Sequence, residues 1–486
     1  MALCRSASAP TGRQGHRATG AGPPSTTLAL LCTVQFMLVL DVAVATVALV
    51  PIQREFDVSP GNLQWVTTAY GVTFGGLLVL GGRLADVLGG RRMLQAGLTM
   101  FTIASVGCGA AQEPWQLFIG CGAQGVGAAI GSAAALAVLL RLFAEGPPRN
   151  FAALGMWGAV ASAGAVAGQL IGGVFTDTLG WRYIFWINVP IGAVLLFLLQ
   201  FHVPADRRAS RQPLDAAGAF LLTAGLALLI FAITGLSEGR TSTITMASIA
   251  VGGLALAGFV AVDRRATNPL LPAALVSKRS VVIGNAFAVC LSGTAAVAVY
   301  IASLYLQGTL GLTPLEAGLG FAPVTGLILM ISTQTRRLLD RFPLPTVMMT
   351  GALIAAAGML HLSLLSDDGS YLTDVLPGLI AVGVGTGLTY APSFVAATAG
   401  VPDALTGAAS GLINASLQIG AAVLLASLVA VMSLTGAMNP LAGYRTALLV
   451  GATLPVAAAL LAALLPTVAG QNTSLGSRKQ KRNAAQ

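Results

Sequence analysis

Fourteen apolar runs of twenty residues or more limit this chain's folding options more than any other feature. They cover 28–50, 63–82, 93–112, 115–140, 151–175, 183–203, 214–234, 243–262, 282–306, 314–335, 344–366, 372–398, 405–434 and 446–467. A helix needs about 20 apolar residues to cross the hydrocarbon core of a bilayer. Charge is too sparse for water to be the main solvent. Only 9% of the residues are Asp, Glu, Lys or Arg, against about 25% in a soluble domain. The alternating ten-residue strands of a membrane barrel are missing. These features predict an all-α integral membrane protein with 14 transmembrane helices.

Lys and Arg set the orientation, because cytoplasmic loops retain them. With the N-terminus inside, 22 of the 26 fall in cytoplasmic segments, and only Arg54, Arg182, Arg240 and Arg445 fall outside. Residues 1–27 then form a disordered cytoplasmic tail and 468–486 a basic one carrying RKQKR at 478–482. The loop 399–404 holds no base, and this orientation does not explain it. The first apolar run, 23 residues, is longer than the apolar region of a cleaved signal peptide. The net charge of +9 is thus first a topology signal, and no nucleic-acid partner is expected. Of the five cysteines, Cys4 lies in the tail and Cys32, Cys108, Cys121 and Cys290 lie in apolar runs without metal-site spacing. Arg outnumbers Lys 23 to 3, which hints at a GC-rich bacterial gene.

The chain also repeats itself. RLAD at 83–86 recurs as RLLD at 337–340, 254 residues on and again in a predicted cytoplasmic loop. Gly125-Val-Gly127 in the fourth run is echoed by Gly383-Val-Gly385 in the twelfth. Two pseudo-symmetric six-helix bundles follow, at 28–203 and 282–467, separated by a linker, 204–281, with two extra transmembrane helices. Secondary transporters are often built from such repeats, with the substrate site between them at mid-membrane.

Within the apolar runs, Asp41 is the acid placed deepest, two residues beyond the midpoint of 28–50. An Asp there costs on the order of 2.5–3.5 kcal/mol on insertion scales. Such a cost points to use as a proton carrier or an anchor for a cationic substrate. Burial favours the neutral form of a carboxyl group and a nearby cation favours the charged form, so one residue can exchange a proton for a cation. A hydrogen-bonded structural Asp that fixes the first helix is the competing reading. Glu316 reads differently: Thr313-Pro314-Leu315-Glu316 is a capping box with Pro at the first helical position. His361 is read as structural. Gln35, Gln124, Trp157, Asn285, Tyr300, Tyr305, Tyr390, Asn414 and Gln418 can line a cavity, with helix–helix hydrogen bonding as the plainer alternative. An aromatic cavity poor in fixed charge suits bulky amphipathic compounds.

Several stretches together resemble the major facilitator superfamily, in its fourteen-helix drug:proton antiporter branch. GGRLADVLGGRR (81–92) is similar to the motif between the second and third helices, and LDVAVATVALVPI (40–52) to the branch's first-helix motif. GAQGVGAA (122–129) is similar to the fourth-helix motif. Gly155, Gly164, Gly168, Gly172 and Gly173 follow the antiporter motif of the fifth, and WRYIFWINVPIG (181–192) and PLDAAGAFLL (213–222) are also typical. Two positions depart from the pattern: Cys121 stands where an Arg is usual, three residues before Gln124, and Gln169 follows Gly168 where Pro is usual. The first departure bears on proton coupling, since that Arg is implicated in it, and the second leaves a straighter helix able to donate hydrogen bonds into the cavity.

The resemblance implies a secondary active exporter of amphipathic small molecules, drugs or antibiotics, by proton antiport with alternating access. The alternative is a carrier for one metabolite with altered or absent coupling. The resemblance further implies a cytoplasmic gate of Gly82, Arg83, Asp86, Gly89, Arg91 and Arg92, with Arg337 and Asp340 in the second repeat. Gly82, Gly89 and Gly90 would permit tight turns. A plain positive loop explains the arginines but not Asp86 or its repetition. Gly164, Gly168 and Gly172 share a helix face and let helices approach closely, either to limit leak or simply to pack. The expected site is the bacterial cytoplasmic membrane, in contact with lipid and as a monomer, with the proton gradient as energy source and no cofactor or metal. A channel's charged ring, a membrane enzyme's HExxH and an ATPase's GxxxxGK[ST] loop are all missing.

Overall fold

A computed structural model describes residues 25–142, 147–203, 215–237, 242–266, 269–402, 405–436 and 439–465. Among them the structure is helical, with no β-strand. The long helices are α1 (Ser25–Phe56), α2 (Trp65–Leu88), α3 (Gly90–Gly109), α4 (Pro114–Leu142), α5 (Pro147–Thr178), α6 (Asn188–His202), α7 (Ala216–Ser237) and α8 (Thr243–Arg265). They continue with α9 (Arg279–Leu304), α10 (Pro314–Thr333), α11 (Leu344–Leu362), α12 (Leu376–Thr398), α13 (Thr406–Thr435), α14 (Pro440–Gly451) and α15 (Thr453–Ala463). Among the described residues, 12 helical segments are long and apolar enough to cross a membrane. The runs 93–112 and 151–175 also fall on helices, α3 and α5, but outside those twelve. α3 opens with Arg91 and Arg92 and carries Gln95 and several hydroxyls, which dilute its apolar character. Residues 1–24 of the expected N-terminal tail and all of the expected basic tail, 468–486, lie outside the described residues.

Local chemistry explains the helix ends. Thr313 caps α10 as expected: its hydroxyl accepts the Glu316 N–H at 3.2 Å while Glu316 accepts the Thr313 N–H at 2.8 Å. The turn between α2 and α3 is tighter than a twelve-residue charged loop. α2 runs to Leu88, so Arg83 and Asp86 lie on its last turns, while Arg91 and Arg92 open α3. Of the three glycines expected to permit tight turns, Gly89 alone has positive φ, 107°, a region that costs L side chains energy. Gly82 is an ordinary helical residue beside open space.

The repeat seen in the sequence reappears as packing. α1 packs on α5, α2 on α4, α3 on α4, α3 on α6, α1 on α6 and α1 on α4. The second set matches each pairing: α9 on α13, α10 on α12, α11 on α12, α11 on α15, α9 on α15 and α9 on α12. The echoed glycines mark equivalent crossings. A Cβ on Gly127 would lie 2.7 Å from the Gly97 carbonyl oxygen, and one on Gly385 would lie 2.5 Å from that of Gly351. The two sets meet where α2 lies on α13 and α5 on α10. α7 and α8 pair with each other, and α7 covers α2 and α13 through a cluster of Val72, Ile230, Ala422 and Ala426. The buried Gln64 amide also donates to Thr234 of α7 at 3.0 Å.

The core is divided unevenly along the helices. Its largest cluster draws on both sets, with Leu49, Ile52 and Leu63 against Tyr305, Leu306 and Phe321. This lies at the end where α1 finishes, here called the 57-end. Toward the Gly89 turn, the 89-end, separate clusters fill each set: Leu94, Leu139 and Leu199 in one, Ile283, Met348 and Ala459 in the other.

Candidate functional site

α1 brings Asp41 to the midpoint of the span Thr26–Phe56, at 5% exposure. Packed helices bury it, so the carboxylate needs hydrogen-bond donors from protein. Two amides supply them. Gln124 of α4 donates its Nε2–H to Asp41 Oδ1 at 3.3 Å, and Asn188 of α6 donates its Nδ2–H to the same oxygen. Gln124 Nε2 also donates to Ser105 of α3 at 2.8 Å, and the Cys108 thiol donates to Gln124 Oε1 at 3.6 Å. One buried network therefore runs from α1 through α4 and α6 to α3, and the partners named in it are all neutral.

The approach of α6 explains how Asn188 arrives. In the segment before α6, Trp181 Nε1 donates to Glu55 at 2.6 Å and Arg182 donates to Glu55 at 2.5 Å. The Arg182 guanidinium also donates to the Ala111 carbonyl at 2.8 Å and stacks 4.4 Å from the Trp181 ring. These contacts tie the 57-end of α1 to the start of α6, and Asn188 follows within two helical turns. Its Oδ1 is buried without a hydrogen-bond partner. An acceptor left open beside a carboxyl group can receive a proton-bearing oxygen or a bound ammonium group.

A small cavity of about 20 Å³ adjoins the carboxylate, lined by Asp41, Val42, Ala45, Val66, Thr67, Tyr70, Cys121, Gln124 and Phe185. That is room for a water molecule. No basic side chain lines it. Of the residues singled out in sequence, Asp41, Cys121 and Gln124 converge here. Gly125 serves packing, since a Cβ there would meet the Tyr70 carbonyl oxygen at 2.5 Å.

The other candidates lie elsewhere. Gln35 accepts from Ser132 at 3.0 Å and Asn285 from Ser416 at 2.8 Å, both helix-to-helix bonds. Tyr300 and Tyr305 are buried, and their hydroxyls donate to the carbonyls of Pro60 at 2.9 Å and Ser366 at 2.6 Å. Tyr390 is 43% exposed and packs on Phe394. Asn414 donates to the Ser410 carbonyl of its own helix at 2.8 Å, and Gln418 packs near Gly75 of α2. Trp157 and Gly155 lie on α5, with side-chain environments outside the described residues.

On the other face of α1, the expected close approach by α5 is present. Cβ atoms on Gly164, Gly168 and Gly172 would lie 2.9, 2.6 and 2.9 Å from the Phe36 oxygen, the Leu40 oxygen and Val44 Cα. Gly173 turns instead to α10, where a Cβ would lie 2.9 Å from Leu315 Cα. Gln169 accepts the Thr325 hydroxyl of α10 through its Oε1 at 2.6 Å.

The charged stretch ties helices of the first set together. Asp86 pairs with Arg141 of α4 at 2.8 Å, and Arg91 donates to the Val203 and Gln200 carbonyls at the end of α6, at 3.1 and 2.6 Å. Both side chains of the Asp86–Arg141 pair are more than half exposed, and such pairs stabilise by about 0–1 kcal/mol. In the second repeat, Arg337 donates to Gln334 at 2.9 Å and Asp340 is exposed.

Asn188, Ser105, Cys108, Tyr70 and Phe185 were not singled out in sequence. Asn188 had a readable signal: an amide inside the apolar stretch IFWINVPIG.

Comparison with known proteins gives concordant matches. The Major Facilitator Superfamily model matches residues 31–425. The chain is 38% identical to the cephamycin export protein CmcT of Amycolatopsis lactamdurans, over 94% of this chain and 95% of that one. It is 37% identical to the puromycin resistance protein pur8 of Streptomyces alboniger, over 82% and 79%. Among solved structures, a POT family transporter in complex with a thioalcohol-conjugated peptide superposes with a TM-score of 0.69 at 14% identity, covering 89% of this chain and 94% of that one.

Proposed function

This chain belongs to the Major Facilitator Superfamily, and on that premise we propose that it exports amphipathic small molecules, antibiotics among them, in exchange for protons. It is a transporter and not an enzyme. The names of its relatives, a cephamycin exporter and a puromycin resistance protein, support antibiotics as cargo. In this reading fourteen helices cross a bacterial cytoplasmic membrane, with both termini inside. α1 to α6 and α9 to α15 form two bundles, and α7 and α8 are the linker pair. The monomer works without cofactor, driven by the proton gradient.

One observation carries the proposal: Asp41 is buried at the midpoint of α1 among neutral partners. An ionised carboxylate without a cation is costly to hold in a dry site. Asp41 is therefore neutralised before the site crosses, by a proton in one direction and by cationic cargo in the other. Gln124 and Asn188 hold the charged form between the two, a task for which Cys121 supplies no cation. Alternating access follows if the bundles rock. The shared core at the 57-end, with separate clusters at the 89-end, fits a state closed to the outside and parted toward the cytoplasm.

A second reading, a carrier for one metabolite with altered or absent proton coupling, is favoured by Cys121 in the usual Arg position. The test is antibiotic and dye accumulation in an efflux-deficient bacterium, with and without a protonophore. Export predicts lowered accumulation across several amphipathic compounds, restored by the protonophore. Asp41→Asn abolishes the effect while the protein stays in the membrane. Unchanged accumulation across a broad panel favours the single-metabolite carrier, and full export by Asp41→Asn removes the coupling role.

A further inference from the structure

Gln169 occupies the place where the resembling motif has proline, and the structure gives it a partner. Proline would remove a backbone N–H and kink the helix; α5 instead continues through this position. Gln169 is 8% exposed, and its Oε1 accepts the Thr325 hydroxyl at 2.6 Å. The bond joins α5 of the first set to α10 of the second, beside a close approach of the two helices. A Cβ on Gly318 would lie 2.5 Å from the Gln169 carbonyl oxygen. Thr325 lies two turns deeper into the membrane than Gly318.

Thr325 has another acceptor within reach. The Phe321 carbonyl, four residues back on the same helix, is 3.1 Å from its hydroxyl oxygen. A hydroxyl has one hydrogen to donate. With α5 against α10, that hydrogen can cross to Gln169; with the helices apart, it falls back to Phe321. Thr325 is thus satisfied in both arrangements. Gln169 Oε1 keeps this partner in one arrangement only, and water must enter to replace it in the other. A buried amide oxygen without a donor is costly, so the bond favours the arrangement in which the helices touch.

We infer that Gln169 and Thr325 form a clasp near the middle of the membrane, level with Asp41, that holds the two helix sets together and sets the fraction of carriers closed toward the 57-end. The inference rests on alternating access. Closer to the 57-end, two bonds from α9 and the turn after it to α1 use backbone acceptors: Ser303 to the Thr46 carbonyl at 2.8 Å and Gln307 to the Val47 carbonyl at 3.0 Å. The clasp has side chains on both sides, so substitution removes it without disturbing the backbone.

The test is distance measurement between paired spin labels, in a full-length parent with Cys4→Ala and Cys290→Ala. One pair, Thr178→Cys with Leu364→Cys, reports the 57-end from exposed sites in different sets. The other, Leu88→Cys with Phe342→Cys, reports the 89-end from sites 42% and 52% exposed. Loss of one net hydrogen bond predicts that Thr325→Val and Gln169→Leu raise the long-distance population at the 57-end about 2- to 10-fold. The 89-end population moves the opposite way, and Thr325→Ser, which keeps the hydroxyl, restores the parent distribution. If the parent shows two populations at each end between acid and neutral pH and both variants match it, the clasp is refuted while alternating access stands. If the parent shows one distance at each end under all conditions, alternating access fails and the clasp with it.

Discussion

At the scale of single residues, the account turns on how a carboxylate is kept at mid-membrane without a positive neighbour in its network. Asp41 has two amide donors on one oxygen, from Gln124 and Asn188. A hydrogen bond to a charged group contributes about 1.5–3 kcal/mol. Asn188→Leu removes one of these, so we expect export to fall about 10- to 100-fold with the protein still inserted. Initial export rates normalised to protein in the membrane check this; rates within twofold of wild type would leave Asn188 a packing residue. Asp41 and Gln124 were legible in the sequence because a polar group in an apolar run announces itself. Asn188 announced itself equally, but its relation to Asp41 depends on the Trp181–Arg182–Glu55 contacts, which bring together residues 126 and 127 positions apart. Tyr300 and Tyr305 take the plainer of the two readings open to them. A polar aromatic on a helix can face a cavity or a neighbouring carbonyl, and both meet carbonyls.

At the scale of helices, glycine placement decides how closely neighbours approach. Gly81 and Gly82 are adjacent in the charged motif yet face different surroundings. A Cβ on Gly81 would lie 2.7 Å from the Ala129 carbonyl oxygen, whereas one on Gly82 would meet nothing within 4 Å. Overpacking of this kind costs about 1–3 kcal/mol, while Gly to Ala in an open helical position gains about 0.8–1 kcal/mol. Gly81→Ala is therefore expected to lower the melting temperature in detergent and Gly82→Ala to hold or raise it. Equal melting temperatures for the two variants would contradict the packing described for α2 and α4. The sequence displayed the motif but not this distinction, because which glycine faces α4 depends on helix phase. The α5 glycines were easier to read, since their four-residue spacing fixes a common face whatever the phase. What they face, the α1 backbone around Asp41, came only from the structure.

At the scale of the molecule, the long apolar runs and the RLxD and GVG repeats were enough to indicate an all-helical membrane protein with duplicated packing. The recurring pairings, α1–α5 with α9–α13 and α3–α4 with α11–α12, carry that duplication into three dimensions. Span length is legible because bilayer thickness sets it. The state of the molecule is not, because opening and closing exchange contacts between distant helices. The central claim is that one carboxylate alternates between a proton and cargo. The most direct measurement is proton movement across the membrane of proteoliposomes loaded with a pH-sensitive dye, after addition of ethidium. The account predicts a proton flux opposite to the ethidium flux with wild-type protein and neither flux with Asp41→Asn. Ethidium moving without protons, or Asp41→Asn moving both at the wild-type rate, would contradict it.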